Sequence, residues 1–291
     1  MNLFIFGLGY SALTLARHHG AELGTVSGTV RTLDKAKRLQ AEGINAMVYA
    51  GGAAGHYVEA ALQNADALIV SAAPDEAGDP MLRQLRTALD AAENLLQVIY
   101  WSTIGVYGDH GGAWIDENAP LKATSERGQR RIAAEAGWLA FGDQRKISIQ
   151  LHRLAGIYGP GRSMLDDLKD GTARRIIKEG QVFNRIHVAD IAGAAMAGLR
   201  NPGISGAFNI CDDEPCAPQD VVAHGANLLG LPVPPDTPFA EARLSEMGRS
   251  FYGESKRCSN HRLRKILGYD LRYPTYREGL AEIAAEAEKI G

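Results

Sequence analysis

The sequence predicts an α/β protein built as a doubly wound parallel sheet, with a smaller lobe formed mainly by its C-terminal third. Two observations predict this. A short apolar run at residues 3–6 opens directly into a glycine turn and a helical stretch. Strand-like and helix-like segments then alternate as far as residue 152, as they do when a parallel sheet carries helices on both faces. A chain of 291 residues is long enough for one large domain or for a large and a small one. Hydrophobic residues at 45% and charged residues at 22% are ordinary for a soluble globular enzyme. A net charge of −3 offers no basic field to nucleic acid.

Taken in order, Leu3 to Phe6 reads as a strand buried on both faces. It runs into Gly7-x-Gly9-x-x-Ala12 and a helix to about Arg17. Gly7 permits the tight turn, Gly9 has no side chain to block a pyrophosphate, and Ala12 lets the helix pack close on the strand. Free N–H groups at the helix start, with the helix dipole behind them, face the phosphates. This is the Rossmann pattern of a dinucleotide site, and the expected contacts here are Gly7, Gly9, Tyr10, Ser11 and Ala12. Residues 24–31 read as the second strand, 34–42 as a helix closed by Gly43, and 46–49 and 67–71 as the third and fourth strands. A long helix from about 80 to 95 precedes a fifth strand at 97–102. A helix around 125–140 precedes a sixth at 147–152. The Pro-rich stretch 231–238 reads as a rigid surface loop.

The end of the second strand bears on cofactor choice. An NAD site places an acid there to hold the ribose hydroxyls. This chain places Arg31 there instead, followed by Thr32 and, close by, Lys35. A guanidinium grips a 2′-phosphate through paired hydrogen bonds, so NADP is expected over NAD, with Asp34 as the residue that would serve a ribose in the NAD case. With the first strand two residues after the start, no signal peptide is expected. No apolar run reaches the roughly 18–20 residues of a membrane span. Cys211, Cys216 and Cys258 make an odd number without metal spacing and read as reduced thiols. The expected location is the cytoplasm, with no metal, no nucleic acid and no membrane partner. A small-molecule substrate is expected, and nothing bars a homodimer.

Further runs carry a family resemblance. Tyr100-Trp101-Ser102-Thr103-Ile104-Gly105-Val106-Tyr107-Gly108 resembles the fifth-strand motif of the extended short-chain dehydrogenases, the NAD-dependent epimerase/dehydratase family. Arg153-Leu154-Ala155-Gly156-Ile157-Tyr158-Gly159-Pro160-Gly161 resembles its sixth-strand signature. Asn184-Arg185-Ile186-His187-Val188-Ala189-Asp190-Ile191 is similar to its later His-Val-x-Asp element, and residues 267–280 to its C-terminal end. These runs lie in family order from residue 3 to residue 280.

The resemblance implies a Tyr and a Lys four residues apart on the helix after the fifth strand, with the phenol as general acid or base. Counting back from Ala134-Glu135, those positions hold Arg127 and Arg131, and no Tyr stands between Tyr107 and Tyr158. The chain thus resembles an atypical branch without the pair. Thr103 takes the place of the family's catalytic Ser/Thr, with Ser102 as its one-residue alternative. Tyr107 and Tyr158, at the carboxyl ends of strands, are candidate replacement acids if Arg127 or Arg131 activates either, and both arginines are candidate clamps for a carboxylate or phosphate. Ser71, Ala72 and Ala73 are implied to line the nicotinamide ribose. His187 is expected to be architectural, Asp190 to cap the helix that follows it, and Arg153 to anchor the crossing into the small lobe.

The expected division is a dinucleotide-binding domain of residues 1–152 and 180–212, and a substrate lobe of 153–179 and 213–291. Two functions of different class follow. One is an NAD(P)-dependent oxidoreductase or epimerase-like enzyme with a non-standard active site, acting on a small polar, anionic or sugar-nucleotide-like substrate. The other is an inactive NADP(H)-binding redox sensor or regulatory protein.

Overall fold

The computed structural model describes residues 1–53 and 55–290. Its first half runs β1 (Asn2–Phe6), α1 (Tyr10–His19), β2 (Thr25–Val30), α2 (Leu33–Ala41), β3 (Asn45–Val48), α3 (His56–Gln63), β4 (Ala67–Val70), α4 (Pro80–Gln84), α5 (Arg86–Asp90) and β5 (Gln97–Thr103). Then come β6 (Trp114–Ile115), α6 (Glu126–Arg145), β7 (Ser148–Leu154), β8 (Gly156–Tyr158), α7 (Met164–Lys169), β9 (Arg175–Ile177), β10 (Arg185–His187) and α8 (Val188–Leu199). The last part holds β11 (Gly206–Ile210), α9 (Pro218–Leu228), β12 (Asp236–Pro238), α10 (Glu246–Phe251), β13 (Arg257–Cys258), α11 (His261–Lys265) and α12 (Tyr276–Ile290).

Seven strands form one sheet in the order β11-β7-β5-β4-β1-β2-β3, and every pairing in it is parallel. Strands are added toward one edge from β1 to β3 and toward the other from β4 onward, so the winding reverses between β1 and β4. That is the switch point at which an open α/β sheet leaves a crevice above its carboxyl ends.

The period-2 alternation of β1 explains its continuous apolar run. Leu3 and Ile5 face one core with Leu15 of α1 and the alanines of α8. Phe4 and Phe6 face the other with Val58, Met81, Trp138 and Phe141 from α3, α4 and α6. Each face of the strand is therefore dry. A third cluster joins α7, α9 and α12 through Leu165, Leu168, Val221, Val222, Tyr276 and Leu280.

Three expectations need correction. The long helix at 80–95 is two short ones broken at Leu85, whose backbone sits at φ −113°, ψ 18°. The break keeps Met81, Leu85 and Leu89 all on the sheet while Gln84 turns to accept from the Tyr49 hydroxyl at 2.6 Å. The Pro-rich stretch is not loop throughout: Asp236–Pro238 is β12 and pairs parallel with β9, and Pro238 is tolerated because a two-stranded ribbon has an outer edge that needs no N–H. Asp190 does not cap α8. His187 does, its Nδ1 accepting from Ala189 N at 3.2 Å. Asp190 instead accepts from Tyr269 Oη at 2.8 Å, Arg272 N at 2.6 Å and Tyr273 N at 3.1 Å, tying α8 to the C-terminal segment. Helix α3 and strand β11 carried no expectation. No helix of the described residues is long and apolar enough to cross a membrane.

Candidate cofactor site and active site

The glycine turn stands at the switch point. Gly7 has φ +100°, and a Cβ there would meet Ala72 N at 3.2 Å, so the β1 turn and the β4 end lie against each other. Ser71 N and Ala72 N both donate to Phe6 O, at 3.0 and 3.1 Å. Gly7 N donates to Thr29 Oγ1 at 3.0 Å, Leu8 N to Thr29 O at 2.8 Å, and Lys35 Nζ to Leu8 O at 2.8 Å. The loop is thus held from below by β2 and α2. Gly9 is the N-cap of α1, and no side chain caps that helix. A Cβ built on Gly9 meets nothing within 4 Å. The start of α1, with its free N–H groups at Tyr10, Ser11 and Ala12, therefore faces open space, and an anionic group fits there.

At the end of β2, Arg31 is exposed and makes no ion pair or side-chain hydrogen bond among the described residues. Thr32 is spent on α2, its Oγ1 accepting from Lys35 N at 3.4 Å. Ala73 is exposed, and Ser71 and Ala72 are half-buried.

The residues around the end of β5 separate into two groups. Thr103 is half-buried and caps a turn, its Oγ1 accepting from Gly105 N at 3.1 Å while its own O–H stays free to donate. Arg131 of α6 donates through Nη1 to Trp101 O at 2.7 Å and Tyr100 Oη at 3.0 Å. Arg127, one helical turn earlier, is exposed and lies over the Phe251 ring at 5.0 Å. Thr103 and Arg131 are half-buried and Arg127 is exposed, so all three keep some surface. Ser102 and Tyr107 do not.

Ser102 donates to the buried Glu135 Oε1 at 2.6 Å. Glu135 pairs with Arg153, Nη2 to Oε2 at 2.8 Å, the two side chains being 2% and 6% exposed. Arg153 Nη1 donates to Tyr107 Oη at 2.9 Å, and Tyr107 donates to Asn209 Oδ1 at 2.7 Å. Asn209 N donates in turn to Glu117 Oε1 at 2.8 Å. Burial pushes the Tyr107 phenol well above its ordinary range, against the pull of the Arg153 guanidinium. The partner expected to activate Tyr107 was Arg127 or Arg131; the structure gives it Arg153. With no surface and both oxygen roles filled, Tyr107 ties β5, β7 and β11 together. Arg153, expected to anchor the crossing into the small lobe, holds Glu135 of α6 and the Tyr107 hydroxyl. Glu135, Glu117 and Asn209 belong to the same network and were not singled out from sequence for it. For Glu135 and Asn209 the signal was a polar residue on an otherwise apolar helix or strand face; Glu117 lies in a polar turn that carries no such signal.

His152 lies beneath the same network, packed edge-on against Phe208 at 6.1 Å. Full burial pushes its imidazole down to about 3, so it is neutral in the fold. Its folded value lies below the unfolded one, and the stability this implies is present above about pH 6.5 and is lost as pH falls toward 3. In urea unfolding, wild type is expected to lose up to about 1.4 kcal/mol more per pH unit in that window than His152→Gln does. Parallel curves for the two proteins would refute the assignment.

A seven-stranded parallel sheet in this order, with a glycine turn at its switch point, defines a Rossmann-type α/β fold. The chain is similar to a functionally unknown conserved protein from Silicibacter pomeroyi DSS at 43% identity, covering 98% of this chain and 99% of that one with a TM-score of 0.89. A protein from Methylobacillus flagellatus assigned to the NAD-dependent epimerase/dehydratases matches at 25% identity over 99% and 98% of the two chains, TM-score 0.72. A human epimerase family protein, SDR39U1 with NADPH, shares the fold at 18% identity over 98% and 99%, TM-score 0.76. No family model and no curated protein matches the chain. Extended short-chain dehydrogenases and NAD-dependent epimerase/dehydratases are thus among the structural neighbours whose fold this chain shares.

Proposed function

We propose that the chain binds a nicotinamide dinucleotide, NADP in preference to NAD, and works as an oxidoreductase or epimerase-like enzyme on a small polar or anionic substrate of sugar-nucleotide character. The observation that carries this reading is the uncapped start of α1 with open space over Gly9. Arg31, exposed and without an acid, supports the 2′-phosphate, and the human protein of this fold was solved with NADPH. The nicotinamide supplies a hydride donor or acceptor. The remaining tasks fall to the chain. Arg131, braced on Trp101 O through Nη1, keeps its other nitrogens for a ribose or substrate oxygen. Thr103 keeps an O–H to orient a substrate oxygen. Arg127 clamps an anionic group; as a guanidinium it cannot exchange a proton at neutral pH.

A second reading has its own support: Ser102 and Tyr107 are both withdrawn into the buried network, which favours a sensor that reports NADP(H) occupancy without turnover. A partner that binds only the NADPH form would decide for it, and turnover abolished by Thr103→Ala would decide for the enzyme. The dinucleotide itself is tested by thermal shift with NADP(H) and NAD(H), beside Arg31→Ala. Ligand at 100 times its Kd adds about 2.7 kcal/mol, or several degrees at about 2–4 °C per kcal/mol. NADPH is expected to give the larger shift, and Arg31→Ala to remove the preference. No shift with any of the four would sink the reading.

A further inference from the structure

The turn that follows β8 reaches back over the glycine turn. Gly159 N donates to Arg162 O at 3.1 Å and Arg162 N to Gly159 O at 3.0 Å, closing a tight loop. Tyr10, the first residue of α1, donates its hydroxyl to Pro160 O at 3.0 Å. A Cβ on Gly159 would lie 2.5 Å from that hydroxyl and 2.6 Å from Val188 Cγ1, so only glycine lets the loop lie this close. The Arg162 guanidinium rests over the Tyr10 ring, 5.8 Å from its centroid. Arg162 is exposed, and among the described residues no carboxylate pairs with it. Asp166, one turn ahead, is occupied by Ser163 N and Ser163 Oγ, both at 2.7 Å.

We propose that this loop is a strap over the dinucleotide, and that Arg162 is the cation it brings to the pyrophosphate. The inference rests on the dinucleotide reading above. The α1 N–H groups can satisfy phosphate oxygens from the sheet side only. A pyrophosphate carries two negative charges, and its outward oxygens need donors from elsewhere. A guanidinium seated on the first residue of the same helix is placed to supply two of them in a fork. The strap continues into α7, whose Leu165 and Leu168 pack with Val221 and Val222 of α9. Cofactor binding would therefore order the lobe that receives the substrate, so the dinucleotide binds first.

Calorimetric titration of wild type, Arg162→Ala, Arg162→Lys and Tyr10→Phe tests this, with ADP-ribose and NADPH as pyrophosphate probes and adenosine 2′-phosphate as a probe without one. Arg162→Ala is expected to weaken ADP-ribose binding by about tenfold, leave adenosine 2′-phosphate within twofold, and be partly rescued by Arg162→Lys. Hydrogen exchange should show residues 159–169 protected by NADPH in wild type and not in Arg162→Ala, with Tyr10→Phe reducing the protection. ADP-ribose affinity within twofold of wild type in Arg162→Ala would overturn the strap while the dinucleotide reading stood. Wild-type protein that binds neither ADP-ribose nor NADPH would overturn both, and the two failures are distinct.

Discussion

Arg153→Leu is expected to lower the unfolding free energy by about 3–5 kcal/mol, a drop in Tm of roughly 10 °C for a chain of this size. Arg153 is the hub of the buried network. It holds Glu135 through Nε and Nη2, Tyr107 Oη through Nη1, and the Glu117 carbonyl at 3.3 Å, and its guanidinium lies 4.9 Å from the Tyr107 ring centroid. Leucine would leave the Glu135 carboxylate buried with the Ser102 hydroxyl as its remaining partner. An uncompensated buried charge costs far more than the net worth of the pair that held it. The double variant Arg153→Leu, Glu135→Leu is expected to recover much of the loss, because it strands neither charge. Urea denaturation of the three proteins measures both effects. A single-variant loss under about 1 kcal/mol would mean the pair is solvated in solution.

Gly9→Val is expected to weaken NADPH binding by roughly 100-fold, about 2.7 kcal/mol, while moving the stability of the free protein by no more than about 1 kcal/mol. The contrast comes from where the side chain would go. Gly9 has φ −88°, which any residue adopts, and its Cβ meets no protein atom within 4 Å. Folding has no objection to valine there. A phosphate approaching the start of α1 would find the space filled. Gly7→Val acts differently, since φ +100° and the approach of Ala72 burden the fold itself. Equal NADPH affinity in Gly9→Val and wild type would move the dinucleotide away from this turn.

The parts legible in the sequence are those written in short-range patterns. The apolar run of β1, the glycine spacing after it and the alternation through β7 each depend on neighbours a few residues apart. They suffice for the sheet, its direction and the place of the glycine turn. The family motifs extend that reading to the end of the chain. The missing acid beside Arg31 and the arginines at 127 and 131 are likewise visible as single letters at known positions.

The roles of the candidate side chains were decided only by tertiary contacts. Ser102 and Thr103 are adjacent in sequence, and one is buried on a carboxylate 33 residues away while the other stays half-buried. Tyr107 has the position of a usable phenol and is spent on an amide 102 residues away. Period-2 alternation puts neighbouring strand residues on opposite faces, but what waits on each face is set by which distant strand packs there. A buried polar group must take whatever partner it meets, and that partner is a property of the folded sheet rather than of the residues beside it.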